Sequence, residues 1–159
     1  MRVIRWLLAG VAGLIGLIGC VGVLARFADG PVGPFPGGRL SGVRVTEPVT
    51  DWAPILAGLA RFEVQVNPAR PRSVTTSYLL HDRTLYVPSM FAARKRWPKE
   101  VLVDGRVVLR IRGKLYERHA VRVTDPDEVR PLVRRFDGAA GADADVRDLS
   151  TWYFRMDAP

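Results

Sequence analysis

The sequence predicts a mainly β domain with flanking helices, built as an antiparallel sheet that curls on itself and is preceded by one transmembrane helix. Three observations carry this prediction. The length, 159 residues, suits one compact domain. Residues 6–25 form a run of 20 without a charged side chain. From residue 43 onward, turn residues separate short segments in which apolar and polar residues alternate, as in antiparallel sheets.

Residues 1–27 are predicted to be a membrane anchor. At about 1.5 Å per residue, a helix over the uncharged run is about 30 Å long, the thickness of a bilayer core. A secretory signal peptide also has a basic start and a short apolar run, and Leu17-Ile18-Gly19-Cys20 has the form of a lipoprotein cleavage box. The apolar run continues beyond Cys20, so an uncleaved, single-pass anchor in the cell membrane is favoured over both. The side of the membrane that holds the domain stays open.

Residues 28–42 contain five Gly and three Pro, which predicts a linker or an ordered loop lying on the domain. The domain itself is assigned to residues 43–157. The predicted strands cover residues 61–66, 73–80, 84–87, 106–111, 115–123 and 151–156. The predicted helices run from Asp51 to Leu59, over residues 90–96 after a Ser89 cap, and from Thr124 to Phe136.

Positive charge is concentrated in the middle of the chain. The formal net charge is +8, and residues 61–122 hold 14 basic and 5 acidic side chains. Most of the basic residues are Arg, whose planar guanidinium matches phosphate. Arg72 opens one strand and the Arg94-Lys95 pair follows the next strand, so the two could converge on one phosphate; the alternative is a solvated charged rim. A lipid surface beneath the anchor is a further partner for this charge.

Several classes of function are disfavoured. One cysteine, Cys20, and two histidines do not suggest a metal site, and none is predicted. No segment looks like a DNA-recognition helix or a basic strand with stacked aromatics, so no nucleic acid partner is predicted. His81 and His119 are interpreted as surface residues, and no nucleophile–base pair is found. No catalytic residue is therefore assigned.

Four segments follow one another in a familiar order. They are Arg72-Ser73-Val74-Thr75-Thr76-Ser77-Tyr78, Thr84-Leu85-Tyr86-Val87-Pro88-Ser89, Ala93-Arg94-Lys95-Arg96-Trp97, and residues 101–111, and Trp152-Tyr153-Phe154-Arg155-Met156 ends the domain. In this order residues 43–157 resemble the flavin-binding split-barrel superfamily, which includes the pyridoxamine phosphate oxidase-like proteins and the deazaflavin-dependent reductases. The resemblance implies a split β-barrel, antiparallel and Greek-key-like, that binds FMN or the deazaflavin coenzyme F420 and pairs as a homodimer.

The resemblance also implies the cofactor-binding residues. Arg72, Ser73 and Thr75 would face the cofactor phosphate, Arg94 and Lys95 would clamp it, Ser89 would lie near the ring edge and Trp97 would cover a ring. Because a flavin-type cofactor brings its own electron chemistry, the protein needs only to hold and cover it. The leading hypothesis is a membrane-tethered oxidoreductase that acts on a small, quinone-like substrate. The alternative is a non-catalytic binding or structural module at the membrane.

Overall fold

The computed structural model describes residues 2–136, 138, 145–146 and 149–159, without the side chains of residues 2, 3, 5, 8 and 9. The chain begins with helix α1, Arg2–Ala25, in which large apolar side chains such as Trp6, Leu17 and Leu24 are exposed. Within the part of the chain that the structure describes, no helix combines the length and the apolar character needed to cross a membrane.

The domain is a mainly antiparallel β half-barrel with flanking helices, which confirms the predicted class of fold. Its strands are β1 Val43–Arg44, β2 Phe62–Val66, β3 Arg72–Thr76, β4 Leu79–His81, β5 Thr84–Ser89, β6 Arg106–Ile111, β7 Lys114–Val123 and β8 Trp152–Asp157. The sheet has the order β3-β2-β6-β7-β8-β5-β4, and neighbours along this path are antiparallel. Strand β1 adds to β7 in parallel.

The helices and one of the strands differ from the prediction. The helices are α2 Ala53–Leu56, a 3-10 turn Ala92–Arg94, α3 Arg96–Val103 and α4 Pro126–Phe136. The predicted helix over residues 90–96 is wrong, because the Ser89 side chain makes no capping bond and the α-helix begins only after Lys95. The predicted strand 73–80 is divided, since Ser77 and Tyr78 lie outside β3 and β4.

The core has two layers, one on each face of the sheet. The inner layer joins Val64 and Leu109 of the sheet to Val101 of α3. The outer layer places Leu132 and Val133 of α4 against the other face. The predicted apolar face of this last helix is thereby confirmed: hydrophobic residues three and four positions apart lie on one side of the helix and are buried.

Residues 28–42, which we call the strap, form an ordered loop on the sheet. Gly37 and Ser73 of β3 exchange two backbone hydrogen bonds, of 2.9 and 3.0 Å. The Leu40 N–H donates to the side-chain oxygen of Gln65 at 2.7 Å. The strap folds back so closely that a Cβ on Gly37 would lie 1.9 Å from the Gly30 carbonyl oxygen, which only glycine tolerates.

Candidate functional site

Strand β3 carries three of the predicted cofactor residues, and it directs them to two different faces. Residues opposite each other in a ladder share a face of the sheet, and successive residues alternate. Arg72 lies opposite Val66, a buried residue of the inner core. Ser73 lies opposite Gln65 on the outer face, under the strap, and Thr75 shares that face. Arg72 therefore points away from the other two.

The start of β3 and the end of β5 lie at the same end of the half-barrel. Five antiparallel pairings separate these strands in the sheet order, so they run in opposite directions. Ser89 is the last residue of β5 and comes two residues after Val87, which belongs to the inner core. Because side chains two apart share a face, Arg72 and Ser89 both point inward at this end.

Helix α3 covers this end and brings charged residues to it. The Glu100 Oε2 atom lies 3.7 Å from the Arg72 Nε atom, and both side chains are largely buried. The other carboxylate oxygen of Glu100 accepts a hydrogen bond of 3.0 Å from Arg96, one helical turn earlier. We call Arg72, Ser89, Arg96 and Glu100 the barrel-end cluster.

The electrostatics of the barrel-end cluster centre on Arg72. Burial lowers the pKa of Arg72, and the positive charges of Arg26 and Arg96 lower it further, while Glu100 acts in the opposite direction. A positive charge that is removed from water in this way gains from any additional anionic partner. The environment of Arg72 therefore favours an anion more strongly than the surface of the protein does.

Four buried side-chain nitrogen and oxygen atoms have no hydrogen-bond partner among the described residues, and three of them belong to the barrel-end cluster. These three are Arg72 Nε, Ser89 Oγ and Glu100 Oε2. The fourth, Ser73 Oγ, lies on the outer face. A buried polar group without a partner costs about 1–3 kcal/mol. Arg72 Nε and Glu100 Oε2 offset part of this cost for each other, because they face one another as an ion pair at 3.7 Å.

The remaining predicted residues take two different positions. Arg94 and Lys95 are exposed in the turn that leads from β5 into α3, on the same stretch of chain that supplies Arg96 and Glu100. Neither is among the charged residues that shift the pKa of Arg72, which are Arg26, Glu100 and Arg96. The Trp97 side chain is buried, and its ring lies 5.4 Å from the ring of Phe154, so Trp97 is part of the inner core.

Three surface cavities lined by described residues lie away from the barrel-end cluster. A cavity of about 500 Å³ on the outer face includes Thr75 in its wall, together with Arg61 and Arg112. Two further cavities lie beside β7. None of these is lined by Arg72, Arg94 or Lys95. Among the described residues, no group of His, Cys, Asp and Glu is arranged to hold a metal ion.

Glu100 was missed by the sequence analysis. Its signal is the spacing of four residues from Arg96, which puts oppositely charged side chains on one helix face. The predicted helix ended at Arg96, so this spacing was not recognised. The close approach of Glu100 to Arg72 comes from the packing of α3 against the sheet and has no counterpart in local sequence.

In the barrel-end cluster, only the hydrogen-bond donors are suited to the phosphate of a cofactor. Arg72 Nε and Ser89 Oγ are buried donors without acceptors, and phosphate oxygens are strong acceptors. Glu100 does not fit, because its carboxylate repels a phosphate and already neutralises Arg72. Ser73 and Thr75 belong to the other face of the sheet and cannot join Arg72 around one group without a rearrangement of β3.

Comparisons with known proteins bear on the fold. No protein-family model matches the chain, and no curated protein matches it in sequence. A conserved hypothetical protein from Mycobacterium tuberculosis shares 14% identity over 72% of this chain and 84% of its own, with a TM-score of 0.50. A protein of unknown function from Agrobacterium tumefaciens shares 16% identity over 65% of this chain and 50% of its own, also with a TM-score of 0.50.

A third solved structure, an FAD-binding protein from Mesorhizobium loti, shares 13% identity over 67% of this chain and 86% of its own, with a TM-score of 0.48. At these identities the likeness concerns the fold alone. Membership of the flavin-binding split-barrel superfamily stays a prediction from the sequence. The chain has the β half-barrel fold of the first two of these proteins.

Proposed function

We propose that this chain is a membrane-anchored oxidoreductase that holds FMN or a deazaflavin coenzyme at the barrel-end cluster and acts on a small, quinone-like acceptor. One observation carries the proposal: Arg72 and Ser89 bring buried, unsatisfied hydrogen-bond donors to the same inward-facing end of the half-barrel. The cofactor phosphate would accept from these donors, and the exposed Arg94 and Lys95 would add positive charge at the rim.

When bound, a flavin-type cofactor supplies the electron or hydride transfer itself. The work left to this chain is to bind the phosphate, to orient the ring and to limit the access of water. No acid or base is required for that work, and the proposal assigns none among Arg72, Ser89, Arg96 and Glu100. Trp97 is excluded from covering the ring in this proposal because it is packed in the core.

Glu100 sets the condition under which the barrel-end cluster accepts an anion. Its carboxylate must move away from Arg72 when a phosphate arrives. Arg96 is a suitable partner for the displaced carboxylate, since it already donates a hydrogen bond to Glu100 and is largely exposed. The proposal therefore requires that Glu100 weakens cofactor binding in the native chain.

The deciding experiment titrates the full chain, in a neutral detergent, with FMN and with the deazaflavin coenzyme while absorbance and melting temperature are recorded. We expect a spectral shift and a higher melting temperature with one of the two. Arg72→Met removes the guanidinium and should weaken binding about tenfold or more. Glu100→Gln should tighten binding by a similar factor, because it removes the competing charge. Asp82→Asn makes the same change of net charge in an exposed turn and should leave binding unchanged.

The membrane anchor is a separate part of the proposal. It is supported by the uncharged run of residues 6–25 and by the exposure of apolar side chains along α1. Carbonate extraction of cell membranes should leave the full chain in the pellet, and release into the supernatant would contradict anchoring. Accessibility of a tag placed after Pro159 would then identify the side of the membrane. The proposed homodimer is tested by light scattering of the detergent-solubilised chain.

A non-catalytic binding module at the membrane is the second candidate. It is favoured by the ion pair of Arg72 with Glu100 and by the burial of Trp97, which together occupy the predicted cofactor residues with contacts inside the protein. This candidate predicts no spectral shift and no change of melting temperature with either cofactor. It also predicts that Glu100→Gln leaves the chain unable to bind them.

A further inference from the structure

A groove lies beside the middle of β7, and its walls include none of the four residues of the barrel-end cluster. It consists of two adjoining cavities of about 480 and 260 Å³, which share Arg44, Glu117, Arg118 and Pro159 in their walls. Cavities of this size suit a small organic molecule. We call the two cavities together the β7 groove.

The smaller cavity of the β7 groove has an excess of positive charge. Its charged side chains are Arg39, Arg44, Arg106, Arg118 and Glu117. Arg44 is paired with Glu117, and Arg106 is paired with Asp104 at 2.7 Å. In the described part of the chain, Arg39 and Arg118 have no carboxylate partner. Two guanidinium groups are thus available to an anion from outside the protein.

Among the residues of the β7 groove, Arg118 would gain most from an anion bound from outside the protein. Its guanidinium carbon lies 4.8 Å from the centre of the Trp52 ring, and one of its N–H groups donates to the Glu117 carbonyl oxygen at 2.6 Å. Burial lowers the pKa of Arg118, which means that the charge is partly removed from water. The Trp52 face compensates for part of that loss, but a cation–π contact is weaker than an ion pair with a desolvated anion.

The larger cavity supplies a different surface. Its wall includes the apolar side chains of Val45, Val49, Trp52 and Met156. Glu47 and Glu117 are the acidic residues there, and Glu117 is already paired. A ligand that fills both cavities would therefore carry an apolar body next to a negatively charged head. Inorganic phosphate would fill only the charged part.

We propose that the β7 groove binds a small organic anion, with its carboxylate or phosphate on Arg118 and Arg39 and its apolar body against Val49 and Met156. The proposal is independent of the barrel-end cluster. FMN also combines a phosphate with an apolar body, so the arginine variants of the two sites decide which of them any flavin uses.

The test is isothermal titration calorimetry of the full chain in neutral detergent with 1-naphthyl phosphate, using empty detergent as the blank. We expect saturable binding, with 1-naphthol and inorganic phosphate each binding at least about tenfold more weakly, because each lacks one of the two contacts. Arg118→Gln should weaken binding of 1-naphthyl phosphate about ten- to hundredfold, the range for one lost charge-assisted hydrogen bond.

Arg122→Gln is the matched control. Arg122 lies on the same strand, burial lowers its pKa as well, and its guanidinium carbon lies 3.9 Å from the centre of the Trp152 ring. It lines neither cavity of the groove. The control should bind 1-naphthyl phosphate like the native chain, and circular dichroism should show both variants folded.

Three results would overturn the proposal. They are no saturable heat with the native chain, equal weakening by Arg118→Gln and Arg122→Gln, and equal affinity for 1-naphthol and 1-naphthyl phosphate. Arg72→Met, which changes the other site, should leave binding of 1-naphthyl phosphate intact. If Arg118→Gln does not fold, Arg39→Gln provides the same test from the exposed side of the groove, with a smaller expected loss of affinity.

Discussion

Two arginines on neighbouring parts of the sheet, Arg110 of β6 and Arg72 of β3, are buried to the same degree but differ in their partners. The Arg110 side chain is 16% exposed and the Arg72 side chain 15%. Arg110 is bonded to Glu63 of β2 and, at 2.6 Å, to Asp29 of the strap. It also donates to the backbone oxygens of Asp29 and Ser41. Among the described residues, Arg72 is paired with Glu100 alone, at 3.7 Å, and its buried Nε atom has no hydrogen bond.

The difference distinguishes an arginine that holds the structure together from the one that we propose binds a ligand. Arg110 joins the strap to the sheet with most of its hydrogen-bonding capacity. Arg72 keeps an unsatisfied donor, although it is buried to the same extent. Burial without hydrogen bonds is unfavourable, so the Nε donor of Arg72 would gain from an acceptor supplied by a bound molecule. Stability and ligand binding should therefore respond to the two arginines in opposite ways.

Arg110→Met should have the largest effect on stability. The substitution keeps the aliphatic stem but leaves the carboxylates of Glu63 and Asp29 without their cation, and Glu63 is only 26% exposed. Breaking a pair of this kind is expected to cost about 3 kcal/mol. This loss of unfolding free energy is measured by urea unfolding of the full chain in neutral detergent, followed by the fluorescence of the buried tryptophans. A loss below about 1 kcal/mol would show that the strap is not held by this arginine.

A third polar cluster tests whether fully paired networks stabilise this fold in general. The Tyr86 hydroxyl donates to Glu128 of α4 at 2.9 Å, and Arg155 of β8 bonds the same carboxylate. Burial and the bond to Glu128 raise the pKa of Tyr86 to about 12. The folded state therefore keeps the Tyr86 proton to a higher pH than the unfolded state does. The resulting contribution to the free energy of unfolding is complete below about pH 10 and is lost as the pH rises towards 12.

The expected alkaline loss is about 2 kcal/mol, and Tyr86→Phe should remove the pH dependence between pH 10 and 12. The alkaline loss of stability is measured from the free energy of unfolding at a series of alkaline pH values. Tyr78→Phe is the control, since Tyr78 donates to the backbone oxygen of Leu59 and not to a carboxylate. An unchanged alkaline slope in Tyr86→Phe would contradict the assignment.

Arg72→Met should have a small effect on stability, about 1 kcal/mol or less. Glu100 keeps its hydrogen bond to Arg96 when Arg72 is removed, so no carboxylate is left without a cation. The measurement is the same urea series as for Arg110→Met, which makes the two variants a matched pair. Equal losses for both variants would remove the distinction between a structural and a ligand-binding arginine.

The smallest expected effect is the acid sensitivity of the strap. Hydrogen bonds from the Ser41 side chain and backbone, together with Arg110, hold the pKa of Asp29 below its usual value of 3.8. Because the pKa of Asp29 is lower in the folded state, ionised Asp29 stabilises the fold at pH values above its ordinary pKa. This stabilisation is lost as the pH falls through the lower, folded-state pKa. Ser41→Ala should reduce the acid-side slope of stability below about pH 4. The effect is measured by the rate of proteolysis of the strap as a function of pH. Identical pH slopes for the native chain and Ser41→Ala would contradict the prediction.

Much of the fold could be predicted from local pattern. Alternation in residues 61–66, 106–111 and 115–123 identified β2, β6 and β7 closely, because a half-buried strand must place apolar side chains on one face. The spacing of Val129, Leu132 and Val133 identified the buried face of α4 for the equivalent reason in a helix. The helix after Ser89 was predicted too early, since the chain first makes a 3-10 turn that propensity does not reveal.

The arrangement of the candidate site residues could not be predicted from local pattern. Arg72, Ser73 and Thr75 are adjacent in sequence and were assigned to one phosphate, yet consecutive strand residues face opposite ways, and only the ladder register says which face is inside. The same alternation could have drawn attention to Arg118, which is two residues from the buried Tyr116 and Ala120. Trp97 was assigned to a ligand, but its large apolar area is buried in the core.

By itself the sequence determined the β-rich class of fold, the positions of most strands, the apolar N-terminal segment and the concentration of arginine in the middle of the chain. These follow from composition and from short-range periodicity, which depend only on neighbouring residues. The tertiary structure alone decided which arginines are paired: Arg110 with Asp29, Arg72 with Glu100, and Arg118 with no carboxylate in the described residues. The partner of a charge is set by contacts between residues far apart along the chain, and burial then determines how much each contact is worth.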